Sequence, residues 1–509
     1  MEGIGRRQWM KGAAAFGAVT AVGAEGALRL RAFDAEGKPA PGGRLGTLLL
    51  IDRDGRPFEL LPKVGSDGTA TIGVPGAKFE IIMILPVRGF GRVYLYADNG
   101  GELYTGGGER LLNYEFARSR AAFVGRYIDA HRKAGVEFSA ETTGRLERGR
   151  KALADAEAAK DPSERARRSN DSLAETMWAG ETAALERARH RIAKRGARQG
   201  FLFGCNAFEY AKSDEYAKKF AALLNFGTLP FYRAGTEKTE GAPDYSEVDA
   251  ILEKMAGTQL MVKGHPLIWF HQAGTPEFLK QKSYAELKRS CRGYVLRSVG
   301  RYRTRIHAWD IINEAHDWAN DLHLNAEQLV ELTRLGATTV READPTAFRL
   351  VNNCCTWGEY AARRRTYSGP LGRRSRTPLE YLKAVNDAKV PYEAIGLQVY
   401  YPQRDMLEIE RQMERFLRLG KPVHITELGV SSANEPMPEG EVKNPDRNVW
   451  HGTEWSETIK ADWPSSSIRS ATASRRSKRS RGGISPTRRL FRTAAWCTRT
   501  SVRRKRTSG

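Results

Sequence analysis

Apolar and polar positions alternate with period two over residues 25–109. ALRLRAF, GTLLLID, ATIGVP, KFEIIMILP and GRVYLYA are short runs rich in Val, Ile, Leu and Tyr, separated by turn pieces such as AEGKPAPGG, DRDG and GSDG. The pattern predicts a small antiparallel β-sandwich. Over 110–197 the spacing changes to three and four. AAFVGRYIDAHRKAG, TTGRLERGRKALADAEAAK and SLAETMWAGETAALERARHRIAKRG each carry an apolar stripe and few Pro or Gly, which predicts two or three amphipathic helices. Such helices pack on a neighbouring domain or, where heptads persist, pair as a coiled coil; here Gly and polar residues interrupt the heptads.

A third pattern organises the remainder. In Arg305 to Trp318, RIHAWDIINEAHDW, the apolar Ile306, Ala308, Ile311 and Ile312 give way to Asn313 and Glu314, as a buried strand does when it surfaces into a polar cleft. Lys421 to Val430, KPVHITELGV, repeats this and runs into Glu427. One glutamate at a strand end is ordinarily a solvated loop acid. Two of them, at the ends of two parallel strands, are what retaining glycoside hydrolysis needs: an acid/base and a nucleophile roughly 5–5.5 Å apart.

WDIINEA and HITELGV, together with GHPLIW at 264–269 and IGLQVYY at 395–401, resemble glycoside hydrolase family 10, the endo-β-1,4-xylanases. The resemblance covers about residues 198–463. It implies an α/β fold, a (β/α)8 TIM barrel, with Glu314 as general acid/base and Glu427 as nucleophile, acting on xylan or a related polysaccharide without metal or organic cofactor. It further implies that His265 binds a sugar hydroxyl and Trp269 packs the floor of the site, with His271 farther along the cleft. Asn313 is expected to bond the sugar 2-hydroxyl, and Gln398 and Tyr400 to complete the substrate-binding set; Asn352 and Asn353 on the fifth strand carry weaker motif support.

The chain departs from the family at two places. The sugar-contacting Asn-Glu-Met-Lys-Trp falls on Leu229, Pro230, Phe231, Tyr232 and Arg233, so the Asn and Lys that hold the glycone sugar are absent. The histidine that orients the family's nucleophile is Tyr400 here; a phenol can donate to Glu427 but carries no positive charge.

Composition adds the ends of the chain. Residues 6–11 read RRQWMK, followed by AAAFGAVTAVGA, which resembles a twin-arginine export signal over 1–24 and predicts a periplasmic or extracellular protein. The alternative is a frayed helix with a chance arginine pair. No apolar run is long enough to span a membrane. The five cysteines show neither a disulfide framework nor zinc-ligand spacing. Phe90, Tyr94 and Tyr96 in the sandwich are either sugar-stacking aromatics or core.

The formal charge of +22 suggests nucleic acid until it is located. Residues 464–509 hold 14 Lys plus Arg and no acid, leaving +8 for the first 463. This stretch, rich in Ser and Arg and without periodicity, reads either as a disordered basic tail or as frameshifted text. The second reading fits better. Codons for Trp-Trp-Asp-Phe-Ser-Asp-Pro, which resembles the family's eighth strand, spell Gly482 to Thr487 when read one base later. A chain so altered is expected to have a disordered tail, no eighth strand and an open barrel seam. Without an aromatic platform or groove-reading motif, the charges do not predict nucleic-acid binding.

Overall fold

The computed structural model describes residues 26–196, 200–400, 403–430, 451, 457–473 and 494–497. The twin-arginine-like segment 1–24 lies outside them, as does most of the basic tail.

The alternating runs form two small sheets. Ala27–Arg31 lies between Thr69–Gly73 and Gly108–Leu111, with Lys63–Val64 at one edge; Glu80–Val87 lies between Leu49–Ile51 and Gly91–Ala97. Inward positions such as Leu28, Leu30, Ile72, Ile81, Met83, Val93 and Leu95 share one core. One pairing departs from the all-antiparallel expectation. Gly108–Leu111 runs parallel to Ala27–Arg31 because it enters from the opposite sheet and leads straight into a helix instead of returning through a hairpin.

Three helices follow: α1 (Leu112–Arg132), α2 (Ala140–Ala158) and α3 (Pro162–Arg195). Ser139 caps α2 by accepting from the Thr142 amide, and Asp161 caps α3 by accepting from Glu164, with Pro162 in its first turn. Phe116, Leu173 and Met177 close the sandwich core from below. On α3 the small, buried Ala179, Gly180, Ala183, Ala184 and Ala188 let the barrel approach closely. The Glu181 carboxylate accepts the Met406 amide at 2.7 Å, one of the orphan donors at the start of helix Met406–Leu417, and Arg187 pairs with Glu410 in the same seam. The helices therefore pack on the barrel.

The face of the sandwich presented by Tyr94 and Tyr96 is the other part of that junction. The Arg404 guanidinium lies 3.4 Å from the Tyr94 ring centroid and 5.9 Å from that of Tyr96, and Arg411 donates to both Glu80 oxygens at 2.7 and 2.8 Å. Phe90 is buried against Trp178. All three aromatics serve packing between modules; none is a sugar platform.

Eight parallel strands close the barrel: β1 (Leu202–Asn206), β2 (Phe226–Pro230), β3 (Met261–His265), β4 (Ala308–Asn313), β5 (Phe348–Asn353), β6 (Ala394–Val399), β7 (Val423–Leu428) and β8 (Ala494–Cys497). Strands β4, β5 and β6 are buried at every position, as the two-sided packing of a parallel sheet requires.

The family's eighth strand is missing, as expected, and what stands at the seam is short. The seam is not left open: four residues of the basic tail take its place. They pair with β1 over Ala494↔Leu202 to Cys497↔Cys205 and with β7 through Ile425↔Ala495 alone. Ladder bonds are made by the main chain, so an open edge accepts a strand with little regard to its side chains. Nor is the start of the tail irregular, for helix Glu457–Ala473 runs through it with Trp463 fully buried. Pro464, the first residue of the foreign-looking text, sits inside that helix, where a missing N–H and a ring clash cost about 3 kcal/mol.

Candidate active site

Every residue singled out from the motifs lies at the C-terminal rim of the barrel, the end at which this fold builds its sites. His265 ends β3, Asn313 ends β4 with Glu314 next, Asn352 and Asn353 end β5, Gln398 lies near the end of β6, and Glu427 near that of β7. Gly264 is required where it stands. A Cβ there would meet the Trp309 ring at 2.2 Å, so the glycine lets this fully buried indole pack across β3 and against Phe231, on the face of the strand opposite Lys263 and His265.

Glu314 adopts a left-handed backbone with φ of 55°, uncommon for a non-glycine residue, held by its amide donating to the Asn352 carbonyl at 2.9 Å. The turn aims its carboxylate inward. Oε1 accepts from Gln398 Nε2 at 2.8 Å and Oε2 from Trp269 Nε1 at 3.0 Å. Burial pushes its pKa up to about 7, and the charge of Glu427 adds to this; the Gln398 and Trp269 donors pull the other way without prevailing.

Glu427 sits among donors. Tyr400 Oη donates to Oε2 at 2.6 Å, Asn352 Nδ2 to Oε1 at 3.1 Å, and His265 Nε2 lies 3.8 Å from Oε1. Gln398 is the register partner of Glu427, and its amide also reaches Asn313 Oδ1 at 3.4 Å. The seven motif residues thus form one cluster.

Two neighbouring residues separate in role. Asn352 touches Glu427, whereas Asn353 turns back to the Val351 and Gly396 carbonyls and supports the strand. Two others escaped the motif reading. Lys263 Nζ and His265 Nδ1 meet on one oxygen of Asp310, at 2.5 and 2.7 Å, and both Lys263 and Asp310 are buried. Their signal in the sequence was a charge inside an otherwise apolar strand, as in LMVKGH and AWDIIN.

The departures from the family are visible as well. Leu229, Phe231 and Arg233 are buried, the last bonded to Glu237 at 2.5 Å and Ser290 at 2.9 Å. Of the substituted positions Tyr232 reaches the site. Its ring lies 5.6 Å from that of His265, 5.9 Å from Trp269 and 6.0 Å from Phe208. Trp269 in turn stacks on His271 at 4.4 Å, and Tyr367 covers His271 at 4.1 Å. The rings of Tyr232, Trp269, His271 and Tyr367 therefore run as one chain, which Trp269 ties to the Glu314 carboxylate. Among the described residues no group of three or more His, Cys, Asp or Glu side chains is arranged to hold a metal.

A parallel barrel with a buried, proton-holding glutamate and a second, donor-ringed glutamate at its C-terminal rim is the framework of a carboxylate-pair glycosidase. Residues 232–457 match the model of Glycosyl hydrolase family 10. The chain is 27% identical over 200 residues to a beta-1,4-xylanase of Dictyoglomus thermophilum, covering 37% of this chain and 51% of that protein. Against endo-1,4-beta-xylanase B of Paenibacillus barcinonensis it is 26% identical over 208 residues, covering 37% and 56%. The chain spans about half the length of the curated relatives it matches. The solved family 10 structure from Paenibacillus barcinonensis superposes with a TM-score of 0.44 at 16% identity, covering 59% of this chain and 83% of that one.

Proposed function

We propose that this protein is a retaining glycoside hydrolase that cleaves internal β-1,4 bonds of xylan or a related plant polysaccharide. The observation that carries the reading is the raised pKa of Glu314 beside Glu427. A carboxyl held near 7 keeps its proton under mildly acidic to neutral conditions and can give it to a departing glycosidic oxygen. Glu427, steadied by Tyr400 and Asn352, attacks the anomeric carbon as Glu314 protonates the leaving oxygen. This forms a covalent glycosyl-enzyme. Glu314, now ionised, takes a proton from water, which releases the sugar with retained configuration. Asn313, with its side chain at the acid's strand end, is placed to bond the 2-hydroxyl as oxocarbenium character develops. The relatives named as xylanases support the choice of substrate.

Reducing-sugar release from xylan tests the reading, with Glu314→Gln and Glu427→Gln as controls. Release that survives either substitution undiminished would refute it. A second reading draws on the glycone side, where Leu229 and Tyr232 stand in place of hydroxyl-binding residues: a carbohydrate-binding barrel with impaired turnover. It predicts retention of xylan without release of sugar ends. Export in folded form, on the strength of the Arg6-Arg7 segment, belongs to the same proposal and predicts recovery outside the cytoplasm.

A further inference from the structure

A second polar recess lies away from the catalytic rim, where the sandwich meets the helices outside the barrel. Its cavity of about 140 Å3 is several times the room one water needs. One wall is the sandwich turn at residues 52–56, in which Asp52 Oδ1 accepts the Asp54 and Arg56 amides, each at 2.9 Å. Gly55 holds a φ of 84° in that turn, and a Cβ there would meet the Arg415 guanidinium at 2.7 Å, so the glycine seats the turn against helix Met406–Leu417. The barrel side supplies Thr356 and Trp357 just after β5, Glu380 and Lys383 on helix Pro378–Asp387, and Gln412.

The recess suits neither a cation nor an anion. Lys383 Nζ pairs with Asp54 at 2.6 Å and Arg56 with Glu380 at 2.7 Å, while Asp52 Oδ1 is spent on main-chain amides, so these charges balance before any ligand enters. Carboxylate acceptors and cationic donors still alternate around the rim, which fits a neutral molecule whose groups both donate and accept. Trp357 adds an apolar wall: its Nε1 donates to Glu408 at 3.0 Å, which leaves ring carbon for the cavity. Thr356 points to a ligand independently. It is 3% exposed, and its Oγ1 has no hydrogen-bond partner among the described residues. The groups around it are paired, for Gln412 Nε2 donates to the Thr356 carbonyl at 2.5 Å and Gln412 Oε1 accepts from Arg415 Nη1 at 2.7 Å. A buried hydroxyl left unpaired in such a network costs stability.

We propose that this recess is a second carbohydrate site, which takes one pyranose unit of a sugar chain apart from the catalytic rim. Ring hydroxyls bond the Asp54–Lys383 and Arg56–Glu380 pairs, one hydroxyl reaches Thr356 Oγ1, and a C–H face of the ring lies against Trp357. The sandwich then serves sugar binding through its 52–56 turn, not through Tyr94 or Tyr96. The pyranose class follows from the recess itself; the choice of a xylose sugar as probe rests on the proposed function.

Equilibrium titration of the full chain with xylobiose, carried to saturation in a Glu314→Gln background that prevents turnover, counts the sites. Two are expected. Trp269→Ala should remove the one at the rim, and Leu379→Trp, which fills the recess from helix Pro378–Asp387, should remove the other. Thr356→Val keeps the shape and deletes the hydroxyl; it should weaken the second site about fivefold and leave the melting temperature of the sugar-free protein unchanged or higher. A hydroxyl that serves the fold alone would instead lower the melt and leave binding as it was. No binding, a single site abolished by Trp269→Ala, or a second site that ignores Thr356→Val overturns the proposal. Should Leu379→Trp not fold, Thr356→Val still decides. Failure of the proposed function reads differently: a rim that binds no xylobiose leaves one site, insensitive to Trp269→Ala and weakened by Thr356→Val.

Discussion

The Gln398 amide, on β6, reaches across the cleft to Glu314 Oε1 at 2.8 Å, although Gln398 is the register partner of Glu427. It thereby ties the acid's side chain to the strand next to the nucleophile. As a donor to the carboxylate it favours the ionised form and restrains the upward shift of Glu314. Gln398→Ala should let that pKa rise further. The alkaline limb of the kcat/KM profile is then expected to move to higher pH while the maximum falls. A limb that moves to lower pH, or stays in place, would contradict the role given to this bond.

Tyr400 is the closest donor to Glu427, at 2.6 Å. A hydrogen bond to a charged group contributes about 1.5–3 kcal/mol, so Tyr400→Phe should lower kcat roughly 10- to 100-fold through loss of nucleophile orientation. The fold should survive, because only the hydroxyl is removed. Steady-state kinetics on an aryl xyloside, beside a thermal melt of each protein, separates the two effects.

Glu314 also links stability to pH. Its folded pKa, about 7, lies above that of an unfolded glutamate, so as pH rises from the unfolded pKa toward 7 the unfolded chain ionises first and the native state loses ground. Below that window the group has no effect; above it the loss is complete. Glu314→Gln removes the penalty and should stabilise the protein at pH 8 by on the order of 3 kcal/mol, with no gain at pH 4. The same variant should nearly abolish xylan cleavage but keep the first step on substrates whose leaving group needs no proton. Denaturant melts at the two pH values check the first claim and a nitrophenyl glycoside burst the second.

The barrel seam offers a test of the tail. Strand β8 has four residues and meets β7 at a single pair, and the helix before it contains Pro464. A gene shifted back to the neighbouring frame after codon 463 should yield a protein with a longer β8 and no strain from the present text. Its melting temperature should rise by about 2–4 °C for each kcal/mol gained, and its activity with it. A repaired protein that melts lower, or resequencing that finds the present frame unambiguous, would count against the frameshift.

Legibility in the sequence followed how locally each feature was encoded. Glu314 and Glu427 could be found because each stands at or near the end of a largely buried strand, and WDIINEA and HITELGV carry the rest of the family pattern. The sandwich strands and the three helices followed from their periods. What escaped was set by pairing across the fold. Tyr94 and Tyr96 alternate correctly, but the sequence could not say that the Arg404 side chain would lie over them. Lys263 and Asp310 are single charges on different strands, and only the barrel brings them together. The AAWC stave was invisible for the opposite reason: it is placed by a vacant main-chain edge, and nothing in its own composition announces a strand.

The two carboxylates can be interrogated directly with a 2-deoxy-2-fluoro xylobioside bearing a dinitrophenyl leaving group. Its fluorine slows both steps, while the good leaving group lets the first proceed, so the glycosyl-enzyme accumulates. Peptide mass spectrometry should find the sugar covalently attached to Glu427, in wild type and in Glu314→Gln alike. A label on any other residue, or active enzyme that turns over xylan yet forms no adduct, would contradict the nucleophile assigned here.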